Sequence, residues 1–231
     1  MEQLIELYSI FGGLNIPIDT DEAIDTLLLH HLLHRFEEHR QSIFTPLGDI
    51  PLYPKLLHAI SIGDRRQSSA LRRAHIGKEK GEEAFNLFLA KDILQIEHSR
   101  ETPPVRIYPK QKFKKVIERH KISHKYRFST PFLRFWFAFL EPFKESIQTG
   151  NYDPFYRNFH QHFNAFVGFI FEELCDQYIR TVVCTQFEDN ILESGSYWQR
   201  EIEIDLLCET YTGEIWIGEC KWTNHKCNKK E

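Results

Sequence analysis

Residues 194–222 read Ser194-Gly195-Ser196-Tyr197-Trp198-Gln199-Arg200-Glu201-Ile202-Glu203-Ile204-Asp205-Leu206-Leu207-Cys208, then Glu209-Thr210-Tyr211-Thr212-Gly213, then Glu214-Ile215-Trp216-Ile217-Gly218-Glu219-Cys220-Lys221-Trp222. Ile202, Ile204 and Leu206 alternate with Glu201, Glu203 and Asp205, the period of a strand with one buried face. Ile215 to Lys221 is a second β-rich run, and Gly213 supplies turn chemistry between the two. A hairpin centred on Thr212 sets Asp205 opposite Glu219, with Cβ atoms roughly 5 Å apart. Two carboxylates so placed repel unless something positive lies between them. Lys221, two residues past Glu219, points to the same face. Two acids and a lysine on neighbouring strands suit a divalent ion, with the ammonium left to steady a water or a phosphate.

Asp205, followed across the hairpin by Glu219-Cys220-Lys221, resembles the D…(D/E)-x-K signature of the PD-(D/E)XK nuclease superfamily. The fuller pattern is Gly-Ser-Tyr-Trp, then Glu-Ile-Asp, then Gly-Glu-Cys-Lys-Trp. It is similar to one branch, the nuclease-like C-terminal domain (domain of unknown function 234) of certain archaeal and bacterial P-loop ATPases. A bare E-x-K recurs by chance; the combination at hairpin spacing is far more specific. Three other phrases carry the same resemblance. Tyr53 to Gly63 is similar to the start of that family's winged-helix segment. Lys125 to Phe143 resembles the phrase that leads into the nuclease-like domain, with Thr130 where the family usually has Asp. Gly168-Phe169-Ile170-Phe171-Glu172 resembles its G-x-x-F-E element. Together they cover roughly residues 50–222.

The resemblance implies a site. Asp205 and Glu219 would ligate Mg²⁺ or Mn²⁺, with Glu203 as a further ligand. Lys221 would orient the attacking water, and Glu172 would join from a helix. It also implies DNA as substrate and a separately encoded P-loop ATPase as partner, because no G-x-x-x-x-G-K-[ST] occurs and no ATP site is expected in this chain. Superfamily members continue beyond the E-x-K strand with a helix and another strand. The nine polar residues after Trp222 do not supply these, so a truncated core with an open edge along Ile215–Lys221 and marginal stability is expected.

Composition sets the bounds. The chain has 231 residues with 42% hydrophobic and 27% charged, enough for two small globular domains. Net charge is −4, so any case for nucleic acid must be local. Residues 106–127 make that case: nine Lys or Arg against Glu118 give +8 and leave −12 for the rest. Lys110, Lys112, Lys114, Lys115, Arg119 and Lys121 form the candidate phosphate-tracking set, with Tyr108, Phe113 and Tyr126 interleaved for stacking. The alternative is a solvated linker or wing. Met1-Glu2-Gln3 begins without the basic region of a signal peptide, and no run approaches the roughly 18 apolar residues of a membrane span, so a cytoplasmic location is expected. The five cysteines include no CxxC pair, and free thiols rather than zinc ligands are expected.

The fold class that follows is α+β: a helical, winged-helix-like N-terminal region and a truncated nuclease-like α/β core. Residues 1–50 form a helical segment, 51–127 the winged-helix-like region, and 128–231 the nuclease-like domain. In the first segment, a helix capped by Asp19 or Thr20 runs through Phe36, with His30 and His34 on one face. In the second, helices are expected over 52–60, from Ser68 or Ser69 through Ala74, and over 82–94 after a turn at Gly77–Gly81. Glu82, Glu83 and Asp92 on the last of these outweigh Lys91, so it suits packing better than DNA reading. In the third, Thr130 caps and Pro131 begins a helix that is apolar nearly all round and therefore buried. Phe159, Phe163, Phe166, Ile170 and Leu174 then make the inward stripe of an amphipathic helix. Two functions remain open: a metal-dependent DNA phosphodiesterase, and a non-catalytic module that binds DNA or docks to an ATPase.

Overall fold

A computed structural model describes residues 1–102, 105–108, 110–115, 121–183, 190–199 and 202–223. The fold is α+β, with helices and two small antiparallel sheets. The chain forms two compact units, Met1–Glu97 with Lys125–Ile170, and His98–His124 with Phe171–Glu231. This division differs from boundaries at 50 and 127. The apolar segment after Pro131 needs cover on all sides, and it draws residues 1–97 and 125–170 into one core.

In the first unit, α1 (Glu2–Phe11) stops at Gly12. Gly13 has φ +96°, and a Cβ there would lie 2.5 Å from Thr130 Cβ. The next helix starts later than expected: α2 (Ile24–Leu28) follows Ala23 and runs into a π-type turn, Leu29–Leu33. Asp19 does not cap it; its carboxylate accepts the Asp21 N–H at 3.0 Å in a local turn. Phe36 opens a separate helix, α3 (Phe36–Phe44). His30 and His34 share a face, with ring centroids 5.9 Å apart.

Helices α4 (Leu52–Ser61) and α5 (Gln67–Ala74) lie where the sequence places them. Helix α6 (Lys78–Ala90) begins four residues earlier than expected. Gly81 is not a turn residue. It sits inside α6, buried, where a Cβ would come 2.1 Å from Leu71 Cδ2 of α5, so glycine permits the close approach of the two helices. Leu94, expected to end α6, instead starts β1 (Leu94–Glu97), which pairs antiparallel with β2 (Lys125–Phe128).

Thr130 Oγ1 accepts the Leu133 N–H at 3.3 Å, and Pro131 takes the first position of α7 (Pro131–Phe135), which continues as a π-type turn, Trp136–Leu140. Phe132, Phe135, Trp136 and Phe139 are all 5% exposed or less, so the expected buried helix is present. Phe135 meets the rings of Phe139, Phe159, Phe163 and Phe166 at centroid distances of 5.2–6.3 Å. The short α8 (Lys144–Gln148) leads to α9 (Asp153–Tyr178), whose residues through Ile170 belong to this unit. Its Phe159, Phe163, Phe166 and Ile170 are buried as the stripe predicts; Leu174 is half-buried.

In the second unit, β3 (Ile191–Gln199), β4 (Ile202–Thr210) and β5 (Ile215–Gly218) form an antiparallel sheet in that order. Trp198 anchors it: 1% exposed, its indole N–H donates to Ser123 O at 2.7 Å. No described helix is long and apolar enough to cross a membrane.

Candidate functional site

The site grows from the β4–β5 hairpin. Its ladder pairs Glu209 with Ile215, Cys208 with Trp216, Leu207 with Ile217 and Leu206 with Gly218. This register agrees with a turn centre at Thr212; the ladder and β5 end at Gly218, and Asp205 and Glu219 lie one residue beyond the last pair. Gly213 has the positive φ, +86°, that the turn requires. The buried face is offset from expectation. Leu206, Cys208 and Thr210 are buried, while Ile202 is 57% exposed, so cover begins only from Leu206 onward. On β5, an outer strand among the described residues, Ile215 and Ile217 are 66% and 68% exposed.

Two groups of side chains form at the hairpin's open end. In the first, the Asp205 carboxylate accepts the Cys220 backbone N–H at 2.9 Å, which fixes the aspartate against the E-x-K segment. The Cys220 and Cys175 thiols hydrogen-bond to each other. Burial is the main cause raising both thiols, Cys220 to about 12, and the charges of Asp205 and Glu172 raise them further. Glu172 and Cys175 lie three residues apart on α9, hence on one face. The helix glutamate and the strand aspartate therefore act on one thiol pair. In the second group, Lys221 Nζ forms an ion pair with Glu219, and both side chains are more than half exposed. Glu203, two residues before Asp205 on the same strand face, is also exposed. Among the described residues, no three His, Cys, Asp or Glu side chains are gathered as a cage for an ion.

Sequence reasoning missed Cys175 and Cys220. They are far apart in sequence, and only the helix-to-strand packing joins them. It also missed the brace between α9 and β3, where Ser194 Oγ donates to Asp176 and the Arg180 Nε–H donates to Asp176 Oδ2 at 2.9 Å.

Of the basic segment, Lys110, Lys112, Lys114, Lys115 and Lys121 are exposed; Arg119 lies outside the described residues. Tyr108 is 58% exposed, and the Arg106 guanidinium lies 5.6 Å from the Phe113 ring centroid. Tyr126 is half-buried, with its ring centroid 4.6 Å from that of Phe85. Lys125, next to it, is buried.

Against known proteins, residues 136–231 match the model of the DUF234 family, described as archaea bacterial proteins of unknown function. No curated protein and no solved structure matches the chain.

Proposed function

We propose that this chain, a DUF234 protein over residues 136–231, is a metal-dependent DNA phosphodiesterase whose site lies on the β4–β5 hairpin. The observation that supports the reading is the ladder register, which ends at the Leu206–Gly218 pair with Asp205 and Glu219 next in line beyond it, and the ion pair of Lys221 with Glu219. The donor set fits Mg²⁺ or Mn²⁺. Such an ion takes hard oxygens and is commonly held by one or two carboxylates, with waters and substrate phosphate completing its shell. Asp205 and Glu219 would hold it, with Glu203 as a further carboxylate on the same strand face. When bound, it would supply Lewis acidity and a water of lowered pKa.

The remaining work falls to this chain's own residues. The Cys220 N–H orients Asp205. The Lys221 ammonium, paired with Glu219 in this structure, can turn to a developing negative charge on phosphate. The charges of Glu172 and Asp205 both raise the Cys175 and Cys220 thiols, and together they would favour a cation at this end of the hairpin. The exposed lysines from Lys110 to Lys121, together with Arg119, would follow the DNA backbone. Helices α4, α5 and α6 followed by the β1–β2 pair match the element order of a winged helix, and the acids on α6 favour packing over DNA reading.

The test is incubation of the purified protein with supercoiled and linear DNA, with Mg²⁺, Mn²⁺ or EDTA. Metal-dependent nicking that falls at least 100-fold in Asp205→Asn and Glu219→Gln is the expected result. Equal cleavage by the variants would overturn the assignment.

One observation favours a second reading. The Asp205–Cys220 bond and the exposed Glu219–Lys221 pair form separate groups rather than one closed constellation. In that reading the hairpin is a vestigial site, and the chain is a non-catalytic module that binds DNA or docks to a separately encoded P-loop ATPase. Metal-independent DNA binding with no cleavage in any metal would favour it.

A further inference from the structure

Helix α9 and the segment after β5 meet at two points, both within the second unit. Phe171 and Cys175 stand four residues apart on α9, on one face. Past β5, Cys220 and Trp222 are half-buried and alternate with the exposed Glu219, Lys221 and Thr223. The Phe171 and Trp222 rings have centroids 5.4 Å apart, and the Cys175 and Cys220 thiols hydrogen-bond to each other. One helix face therefore lies along one side of this segment, and the two cysteines form one of its two contacts. Cys208, also a free thiol, is fully buried in β4.

The backbone that carries each thiol is braced. The Asp205 carboxylate accepts the Cys220 N–H at 2.9 Å. On the helix, Asp176 follows Cys175 directly; its carboxylate accepts from Ser194 Oγ of β3 and from the Arg180 Nε–H. Arg180 in turn donates to Ser194 O, so this turn of α9 is tied to the sheet. Two reacting groups held in contact by fixed supports have a high effective concentration, because little motion remains to be frozen when they join. A disulfide demands sulfurs about 2.05 Å apart on Cβ atoms about 3.8 Å apart. Contact between two thiols far apart in sequence is the first requirement for that geometry.

We propose that Cys175 and Cys220 are a redox modification site, where a reversible disulfide fastens α9 to the segment after β5. The oxidant is a low-molecular-weight disulfide, R–S–S–R. One cysteine sulfur attacks a sulfur of this reagent, forms a mixed disulfide and releases one R–SH. The other cysteine then attacks the protein sulfur of the mixed disulfide, forms the Cys175–Cys220 bond and expels the second R–SH. The two cysteine protons end on the two released thiols; the protein loses two electrons and the reagent gains them. The bond closes a long loop in the unfolded chain while joining groups already in contact in the folded one, so it favours the folded state. It needs neither metal nor DNA, and it stands or falls apart from the phosphodiesterase reading.

The test equilibrates the full chain in buffers of reduced and oxidised glutathione, once in native conditions and once in urea. Equilibrium is approached from both the reduced and the oxidised chain, so that slow exchange does not enter the value. Samples are quenched with acid, alkylated, digested and read by mass spectrometry. The Cys175–Cys220 cross-linked peptide should be the main protein disulfide. Its formation constant should be on the order of 10²-fold larger in the native chain than in urea. The oxidised chain should unfold at higher urea, with its folding equilibrium raised by the same factor, because the two measurements close one thermodynamic cycle. Cys175→Ser and Cys220→Ser should each remove both the peptide and the shift. A native-to-urea ratio below about tenfold would overturn the proposal. So would pairing mainly with Cys184, Cys208 or Cys227, or an oxidised chain that unfolds at lower urea than the reduced one.

Discussion

Replacing Asp205 separates its structural role from its proposed chemical one. Its carboxylate accepts the Cys220 N–H at 2.9 Å, and a hydrogen bond to a charged group contributes about 1.5–3 kcal/mol. Asp205 and Glu219 are the next residues in line beyond the last ladder pair, Leu206 with Gly218. Two like charges about 5 Å apart repel by roughly 0.8 kcal/mol in water and by about 3 kcal/mol at an effective dielectric of 20. The Glu219 side chain is 71% exposed, so the lower figure applies. Asp205→Asn keeps a neutral acceptor and removes the repulsion, and its net effect without metal should lie within about 1 kcal/mol of zero. Asp205→Ala removes the acceptor as well and should cost about 1–2 kcal/mol. Added Mg²⁺ reverses the ranking. At ten times its Kd, an ion bound only by the folded state stabilises the wild type by about 1.4 kcal/mol, and Asp205→Asn by close to nothing. Urea unfolding followed by tryptophan fluorescence, with and without MgCl₂, reads all four values at constant m. Equal Mg²⁺ stabilisation of the wild type and Asp205→Asn would refute the reasoning, as would no stabilisation of either.

Other consequences follow from the packing and the titratable groups. Phe135 is fully buried among four phenylalanine rings, so Phe135→Ala should cost about 3–5 kcal/mol in the same urea assay; a loss below 1 kcal/mol would deny this helix its central place. Burial raises the Glu141 carboxyl above its ordinary 4.5, an effect only partly offset by Arg40, the Trp136 indole and Lys144. The folded state then holds this proton more tightly than the unfolded state. Stability should therefore fall as pH rises from 4.5 through the raised folded value, and Glu141→Gln should flatten that part of the pH profile. A Cys220 thiol at about 12 carries little thiolate at pH 8, so iodoacetamide should alkylate it on the order of 10³-fold more slowly than an unperturbed thiol, with normal reactivity restored in denaturant.

The hairpin was legible because two short-range signals agree. Period-2 alternation gave the strands, Gly213 gave the turn, and the two together fix a register whose one-residue slip would turn every side chain over. Helix α7 was legible for a similar reason: Thr130 and Pro131 mark its start, and a sequence apolar nearly all round leaves burial as the stable outcome. What stayed hidden depends on contacts between distant residues. Gly81 reads as a helix breaker until Leu71 is seen against it. Ile202 reads as core, although cover begins only at Leu206. Cys175 and Cys220 carry no spacing signal at all, because only the packing of α9 against the E-x-K segment brings them together. The division into units was hidden for the same reason, since no local pattern says which neighbours the Pro131–Leu140 stretch recruits.

The central claim is that the hairpin's charges perform chemistry rather than merely decorate a sheet. Lys221→Ala tests it most directly, because it leaves the two proposed carboxylate ligands in place. Cleavage of supercoiled DNA is measured for the wild type and the variant at one saturating Mg²⁺ concentration, with Mg²⁺ stabilisation recorded on the same samples. The account predicts unchanged stabilisation and a loss of cleavage of at least 100-fold. Cleavage by Lys221→Ala at the wild-type rate would contradict it, as would a wild type that leaves DNA intact with both Mg²⁺ and Mn²⁺.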